Sequence, residues 1–454
     1  MARKVVEAPN TTAQIRAFGQ TLAMTQWLAP EELQSYQAPL ISKLLIHARK
    51  TTRFYKDRLD VDVSSPDSIR KAWAELPILT RADVVKHHEA LTSRKPPRDS
   101  GPVIEGQTSG STGVPVTYKK SDASIVVATT LLERMFRWWS IDGQKTYAHI
   151  APDGNKEAPP PDGRTLRGWH SHHPDGIKHF ISVQADVDTH LKWLLARRPD
   201  YLATYAPVLK ELALTAQKRG IELRFSRLLS FGTVVDDETR ELCKAAFDAE
   251  IADTYGAQEV DHIAAQCHDC GEYHASAEAA IVEVLRADNT AAVPGETGRV
   301  VVTPLYNLAM PLIRYELGDM AVAGSAPSAC GRGLPALRRI LGRTRNMFRF
   351  RDGSTLWPMS SAFRLGDFIA LKQFQIVQTD FDRVEIRYVP DGAAAPIDLP
   401  TLTERIRRVL RHPVEVSVRS VNQIDRAATG KYEECISLVP ADGSCPSTPM
   451  ARPS

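Results

Sequence analysis

The 454-residue chain contains no apolar run near the ~18 residues that a membrane-spanning helix needs. Its start, MARKVVEAPNTTAQ, has basic residues without the apolar block of a signal peptide. A cytoplasmic protein without a membrane partner is expected. Cysteine is scarce: Cys243, Cys267, Cys270, Cys330, Cys435 and Cys445 are too few to staple a chain this long with disulfides. An excess of one charge is lacking as well, with 57 Lys and Arg against 54 Asp and Glu. The net +3 provides no broad positive field, so nucleic acid is not expected as a partner and a small molecule is. Internal repeats and long low-complexity stretches are absent. Pro and Ser gather only in the final residues, which are expected to form a flexible tail over 441–454.

What remains is ordinary globular composition, 43% hydrophobic and 24% charged, long enough for roughly two to four domains. Helical periodicity runs through 123–139, 187–198 and 206–220, the last stopping on Gly220, and Asp236 and Asp237 place acids at the start of a further helix. Short β-branched runs, LLSFGTVV, AAIVEVL and GRVVVTPL, suit strands covered on at least one face. After Gly342 the texture changes. RNMFRFRDGSTLW predicts a hairpin turning at Asp352-Gly353, followed by two strands in 374–389, a helix over 401–412 and a last strand over 414–421. A compact α+β unit of about a hundred residues is expected there, with a boundary near Arg343 to Arg345.

Thr108-Ser109-Gly110-Ser111-Thr112-Gly113-Val114-Pro115 packs hydroxyls and glycines between the expected strand VIEG and a helix. Small side chains let backbone N–H groups approach an anion, and hydroxyls add donors, so the loop suits phosphate; the alternative is a flexible Ser/Gly connection. It lacks the Gly-Lys-Ser/Thr ending of a P-loop. Further along come Tyr255-Gly256-Ala-Gln-Glu259, Arg314-Tyr-Glu-Leu-Gly-Asp319, Gly342-Arg343 and Thr429-Gly-Lys431. Five motifs in this order over residues 100–435 resemble the adenylate-forming superfamily of acyl-CoA synthetases, adenylation domains and luciferases. Within it the chain looks most like the phenylacetate-CoA ligase branch.

The resemblance implies an α/β and α+β architecture: a large N-terminal α/β domain with layered sheets (1–342), bearing a zinc-binding insertion at about 262–335, and a small mobile C-terminal α+β lid (343–440). It implies an AMP-forming carboxylate ligase that uses ATP and Mg²⁺ to turn a small, aromatic or other organic acid into an acyl adenylate. CoA is the default acceptor, with an amine or hydroxyl acceptor as the first alternative and a non-catalytic nucleotide-binding scaffold as the second. Nothing in it excludes a homodimer.

Residue by residue, Thr108, Ser109, Gly110, Ser111, Thr112 and Gly113 are expected on the β- and γ-phosphates. Tyr255, with Gly256 beside it, is expected on adenine, Glu259 on Mg²⁺, Asp319 and Arg343 on the ribose, and Lys431 between carboxylate and α-phosphate. His149, Ser230, Phe231 and Gly232 border the expected acyl site, with core packing as the alternative for His149 and Phe231. Arg314 reads equally as a ligand or as a structural ion-pair partner. Two departures from the family pattern stand out. Val114 occupies a position usually held by Lys, for which Lys119 or Lys120 could compensate, and Arg345-Asn346 replaces the usual Asp pair at the hinge.

Cys267-x₂-Cys270-x₃-His274 and the later Cys330 offer three thiolates and an imidazole, the donor set of a closed tetrahedral structural zinc site, against uncoordinated thiols. Members of the resembling branch hold such a zinc with a later Cys-x-Cys-Gly pair. Here Ser328 replaces its first Cys, and Cys270 supplies the missing thiolate. The histidine-rich stretch 168–179 reads as a surface loop near the acyl pocket, with a second metal site or a catalytic base as the alternatives, because tightly packed rings do not converge easily and no carboxylate run lies nearby. The basic stretch 338–351 reads as an edge strand with ATP and hinge contacts rather than a nucleic-acid stripe.

Overall fold

The computed structural model describes residues 11–108, 115–153, 156–325, 328–358, 360–392, 396–424 and 433–440. Five strands, Ile177–Ser182, Tyr147–Ala151, Tyr201–Thr204, Arg227–Phe231 and Ile251–Ala257, lie side by side in that order and pair in parallel. Parallel neighbours require crossovers, and the helices Val187–Arg197, Ala206–Arg219 and Asp237–Phe247 provide them. Their ends are written locally. Asp186 and Asp236 accept N-cap hydrogen bonds from the Thr189 and Thr239 N–H groups, and Gly220 stops its helix at φ +63°. Leu191, Leu194, Leu209, Leu212, Leu228 and Ile251 form the core between helices and strands, each removed from water at about 2 kcal/mol per side chain.

Past Ile251–Ala257 the direction of pairing changes. The sheet continues antiparallel through Asp261–Gln266, Tyr273–Ala275, Ala336–Arg343, Tyr315–Ala323, Thr297–Pro304 and Ala280–Leu285, and with the antiparallel edge strand Arg164–Arg167 it reaches twelve strands. The basic Ala336–Arg343 strand is therefore paired on both sides, not the edge strand its charge suggests; Ala336, Leu337 and Ile340 are buried while Arg338 and Arg339 are exposed. A second difference concerns the Ser/Thr/Gly segment. It joins two antiparallel strands, Val103–Gln107 and Thr117–Ser121, and the helix Asp122–Trp138 begins only after the second. The alternating TYKKS run supplies a strand that VIEG needs as its partner.

The C-terminal residues have a core of their own. Phe348–Arg349 pairs with Thr355–Leu356 across the Asp352-Gly353 turn, where Gly353 takes φ +82°. Leu371–Asp380 and Arg383–Pro390 form a hairpin flanked in parallel by Cys435–Ser437 and Glu415–Ser420. The helix Leu399–Leu410 lays Leu402, Ile406 and Leu410 on this sheet at four-residue spacing. Two lysines of the helix Ala206–Arg219 reach across to it: Lys210, held at 2.5 Å by Glu238 of the neighbouring helix Asp237–Phe247, lies 3.8 Å from Glu434, and Lys218 pairs with Asp391.

Arg314 is 2% exposed. It binds both Glu283 oxygens, at 3.2 and 3.0 Å, and donates to the Ala74 and Leu76 carbonyls at 3.0 and 2.7 Å. This is the structural alternative, since the guanidinium fastens the N-terminal helical segment to the sheet. Arg314→Ala leaves Glu283 without its cation and is expected to cost about 3–5 kcal/mol of stability, read from the urea midpoint.

Candidate active site and metal centre

Register places the motif residues. Tyr255 ends the parallel block, Asp319 and Arg343 are direct cross-strand partners two strands from the turn that carries Glu259, and a network joins them. The Tyr255 hydroxyl donates to Asp319 Oδ2 at 2.9 Å and Arg343 Nε to Oδ1 at 3.0 Å. Each carboxylate oxygen keeps a second lone pair, so Asp319 can still accept from two hydroxyl groups. Burial, reinforced by the charge of Asp319, pushes the Tyr255 phenol well above its ordinary range, so it remains a donor. Arg343 also donates to the Leu317 carbonyl at 3.1 Å, which holds the guanidinium flat against the strand end.

Glu259, 3% exposed, accepts from the Tyr315 hydroxyl at 3.1 Å and lies 3.8 Å from Arg81 Nη1. The other Arg81 nitrogen, Nη2, donates to Thr108 Oγ1 at 3.3 Å. Arg81 thus ties the first residue of the Ser/Thr/Gly loop to the expected Mg²⁺ ligand. Sequence reasoning missed it. Its only local signal is the N-terminal box in which Thr80 and Asp83 cap each other, and its partners are 27 and 178 positions away. Of the two lysines that could compensate for Val114, Lys119 pairs with Glu105 on the hairpin and Lys120 is buried against Asp261. Ser109, Gly110, Ser111, Thr112, Gly113 and Lys431 lie outside the described residues.

At the ends of the parallel strands His149 and Phe231 come together, ring centroids 5.4 Å apart, with Phe180 at 5.5 Å from His149 and Tyr205 at 5.1 Å from Phe231. Burial pushes the imidazole of His149 down to about 3, so it is neutral. Gly232 follows at φ +65°, where a side chain would be strained, and turns the chain away from the strand. Ser230 is buried opposite Asp253 on the next strand.

The four expected metal ligands converge. Sulfur and nitrogen atoms of Cys267, Cys270, His274 and Cys330 lie within 4.8 Å of one another, with His274 Nε2 3.5 Å from Cys270 Sγ and 3.2 Å from Cys330 Sγ. The tetrahedral edge between a thiolate and an imidazole around zinc is about 3.5 Å, so the donors and their spacing fit that ion. Ser328 Oγ sits 3.1 Å from Cys330 Sγ and Arg332 donates to Cys267 Sγ at 3.1 Å.

Asp253 is buried, accepts from the Tyr273 hydroxyl at 2.6 Å, and burial pushes its carboxyl up to about 6. Between about pH 4 and pH 6 the folded chain keeps this proton while the unfolded chain has lost it, so stability falls as pH rises. Asp253→Asn removes the effect. The stability of the wild type relative to this variant, from urea titrations, is expected to drop by about 3 kcal/mol from pH 4 to pH 7.

No family model matches the chain. It is 21% identical over 352 residues to Protein CapK of Staphylococcus aureus, covering 76% of this chain and 75% of that protein. Its structure is similar to 2-hydroxyisobutyryl-CoA ligase in the postadenylation state with 2-HIB-AMP, at TM-score 0.72 and 17% identity over 91% of each chain. The same ligase in the thioesterification state with 2-HIB-AMP and CoA matches at 0.57, with 18% identity over 91% of each chain. The amide bond synthetase McbA from Marinactinospora thermotolerans matches at 0.51 and 15% identity over 72% of this chain and 67% of that one. The chain therefore has the fold of the adenylate-forming ligases, a large mixed sheet followed by a small α+β body.

Proposed function

We propose that the chain is an AMP-forming carboxylate ligase: it joins a small carboxylic acid to the AMP moiety of ATP, releases pyrophosphate, and passes the acyl group to CoA. The observation that carries this reading is the joint placement of Thr108, Arg81 and Glu259 on one side and Tyr255, Asp319 and Arg343 on the other, on a fold shared with acyl-CoA ligases. Asp319 accepts from the two ribose hydroxyls, Arg343 holds that carboxylate in place, and Tyr255 offers its ring to adenine. Glu259 is a hard oxygen donor suited to Mg²⁺, which when bound with ATP neutralises phosphate charge. Arg81 sits where it can contact the β- and γ-phosphates and stands in for the lysine that Val114 replaces.

In the first half-reaction a carboxylate oxygen of the acid attacks the α-phosphorus. The acyl–O–P bond forms as the bond to pyrophosphate breaks, with Lys431 stabilising the charge that builds on the phosphoryl oxygens. In the second, the CoA thiolate attacks the acyl carbonyl and AMP leaves. The better match to the postadenylation state supports a lid placed for the first step, and Lys210 and Lys218 are the side chains that would release it. A separate C-terminal core, beginning at Phe348 beyond the strand that ends at Arg343, supports a domain boundary near Arg343 to Arg345. His149, Phe231, Phe180 and Tyr205 favour a flat acid, next to Ser230 and Gly232. Cys267, Cys270, His274 and Cys330 hold a structural zinc, with no coordination position left for catalysis.

A second reading sends the acyl group to an amine or a hydroxyl. Arg345-Asn346 at the hinge, in place of the family's acidic pair, favours it. Pyrophosphate release across a panel of carboxylic acids, with and without CoA or amines, separates the readings. Turnover requiring an amine and indifferent to CoA overturns the thioester step, and no turnover with any acid overturns ligase activity in favour of a nucleotide-binding scaffold. Lys431→Ala is expected to lower adenylation at least about 100-fold while ATP still binds. Arg81→Ala is expected to raise the KM for ATP about tenfold or more, the loss of one charge-assisted contact. Cys330→Ser is expected to remove one equivalent of zinc by elemental analysis, and wild-type zinc content in that variant would refute the ligand set.

A further inference from the structure

The histidine-rich loop is not the isolated surface feature its sequence suggests, because a carboxylate reaches it from 37 positions earlier. Glu133, on the helix Asp122–Trp138, is 2% exposed. Its Oε1 lies 3.8 Å from His170 Nδ1 and its Oε2 3.4 Å from His172 Nδ1. The Ser171 backbone N–H and hydroxyl donate to Oε1 and Oε2, both at 2.8 Å, and aim the carboxylate at the two rings. Ser171 Oγ also lies 3.1 Å from His172 Nδ1, and the His172 N–H lies 3.2 Å from His170 Nδ1. Among the described residues no Lys or Arg lies within ion-pair distance of Glu133, whose partners at that range are the two imidazoles, and the charge of Arg137 one helical turn on acts on it from further away. An ionised carboxylate this far from water needs a cation beside it.

We propose that Glu133, His170 and His172 bind a divalent cation of the zinc class, at a site separate from the cysteine cluster. All three side chains place a donor atom within 4.8 Å of the other two. The edge of a tetrahedron with imidazole and carboxylate ligands at zinc is about 3.3 Å, close to the two distances above, and binding replaces the long N–H contact to His170 Nδ1. Two imidazoles and one carboxylate leave a fourth position, which water or an exogenous anion would fill, and the partly exposed His172 leaves the group accessible to solvent. The same loop carries Trp169, stacked on Tyr147 at 4.9 Å, and Tyr147 borders His149. The cation fastens the Trp169 loop to the Asp122–Trp138 helix beside the proposed acyl wall.

Full-length protein stripped with a chelator and titrated with Co²⁺ tests this independently of ligase activity. The cysteine cluster reports through intense thiolate-to-cobalt absorption in the near ultraviolet, whereas a site of imidazole and carboxylate shows only weak visible bands. The wild type is expected to take up a second equivalent that adds no thiolate absorption. His172→Ala, at the partly exposed ligand, is expected to weaken that second equivalent about 100-fold or more and leave the thiolate bands intact, and Glu133→Gln to do the same. A wild type saturated after the thiolate equivalent, or a His172→Ala variant that retains the second one, overturns the proposal. Cys330→Ser that loses the thiolate bands yet keeps the other equivalent supports it.

Discussion

Antiparallel register beyond Ile251–Ala257 is the constraint on which the rest depends. Asp319 meets Arg343 only because its strand pairs with the one that ends there, which carries the buried Ala336, Leu337 and Ile340. A slip by one residue would carry Asp319 away from both Tyr255 and Arg343. The register is pinned from the far side as well. Arg314 is anchored to Glu283 and to two carbonyls of the N-terminal segment, so the strand that carries Asp319 cannot slide without unpairing a buried guanidinium.

Buried carboxylates recur on and around this sheet, and each is handled differently. Asp319 is matched with a guanidinium and a phenol, Glu259 with Tyr315 and the more distant Arg81, Asp253 with a phenol and the charge of Arg240, and Glu133, on its helix, with serine donors and two imidazoles. The degree of compensation separates their roles. Asp319 is satisfied and held still, which suits the ribose-positioning role proposed for it. At Asp253 burial outweighs the Tyr273 hydrogen bond and the charge of Arg240, and so favours the proton. Glu259 and Glu133 keep incomplete charge compensation, the condition under which a carboxylate gains by taking a metal ion.

Much of the fold was legible in the chain. Helices at 187–197 and 206–219 showed in their 3.6-residue periodicity and caps, and the turn at Asp352-Gly353 showed because only a few residues tolerate that backbone. The cysteine cluster was legible because three of its four ligands lie within eight residues, so local spacing alone brings them near one another. The Ser/Thr/Gly segment was placed before a helix, and it joins two strands instead. Strand Thr117–Ser121 is only five residues long and rich in lysine, a signal too short and too polar for periodicity to detect.

The sequence by itself determined which donor groups are available: hydroxyls and backbone amides beside glycines, carboxylates, thiols and an imidazole. Those are properties of side chains and of local backbone freedom, and they survive without a fold. Tertiary structure alone decided that Arg81 meets Thr108 and Glu259, that Lys120 is consumed by Asp261, and that Glu133 lies under the histidine loop. Each of those pairings closes a loop of tens to hundreds of residues, and the entropy of closing it is repaid only by packing of the whole sheet. No local pattern records a contact whose free energy is supplied elsewhere in the molecule.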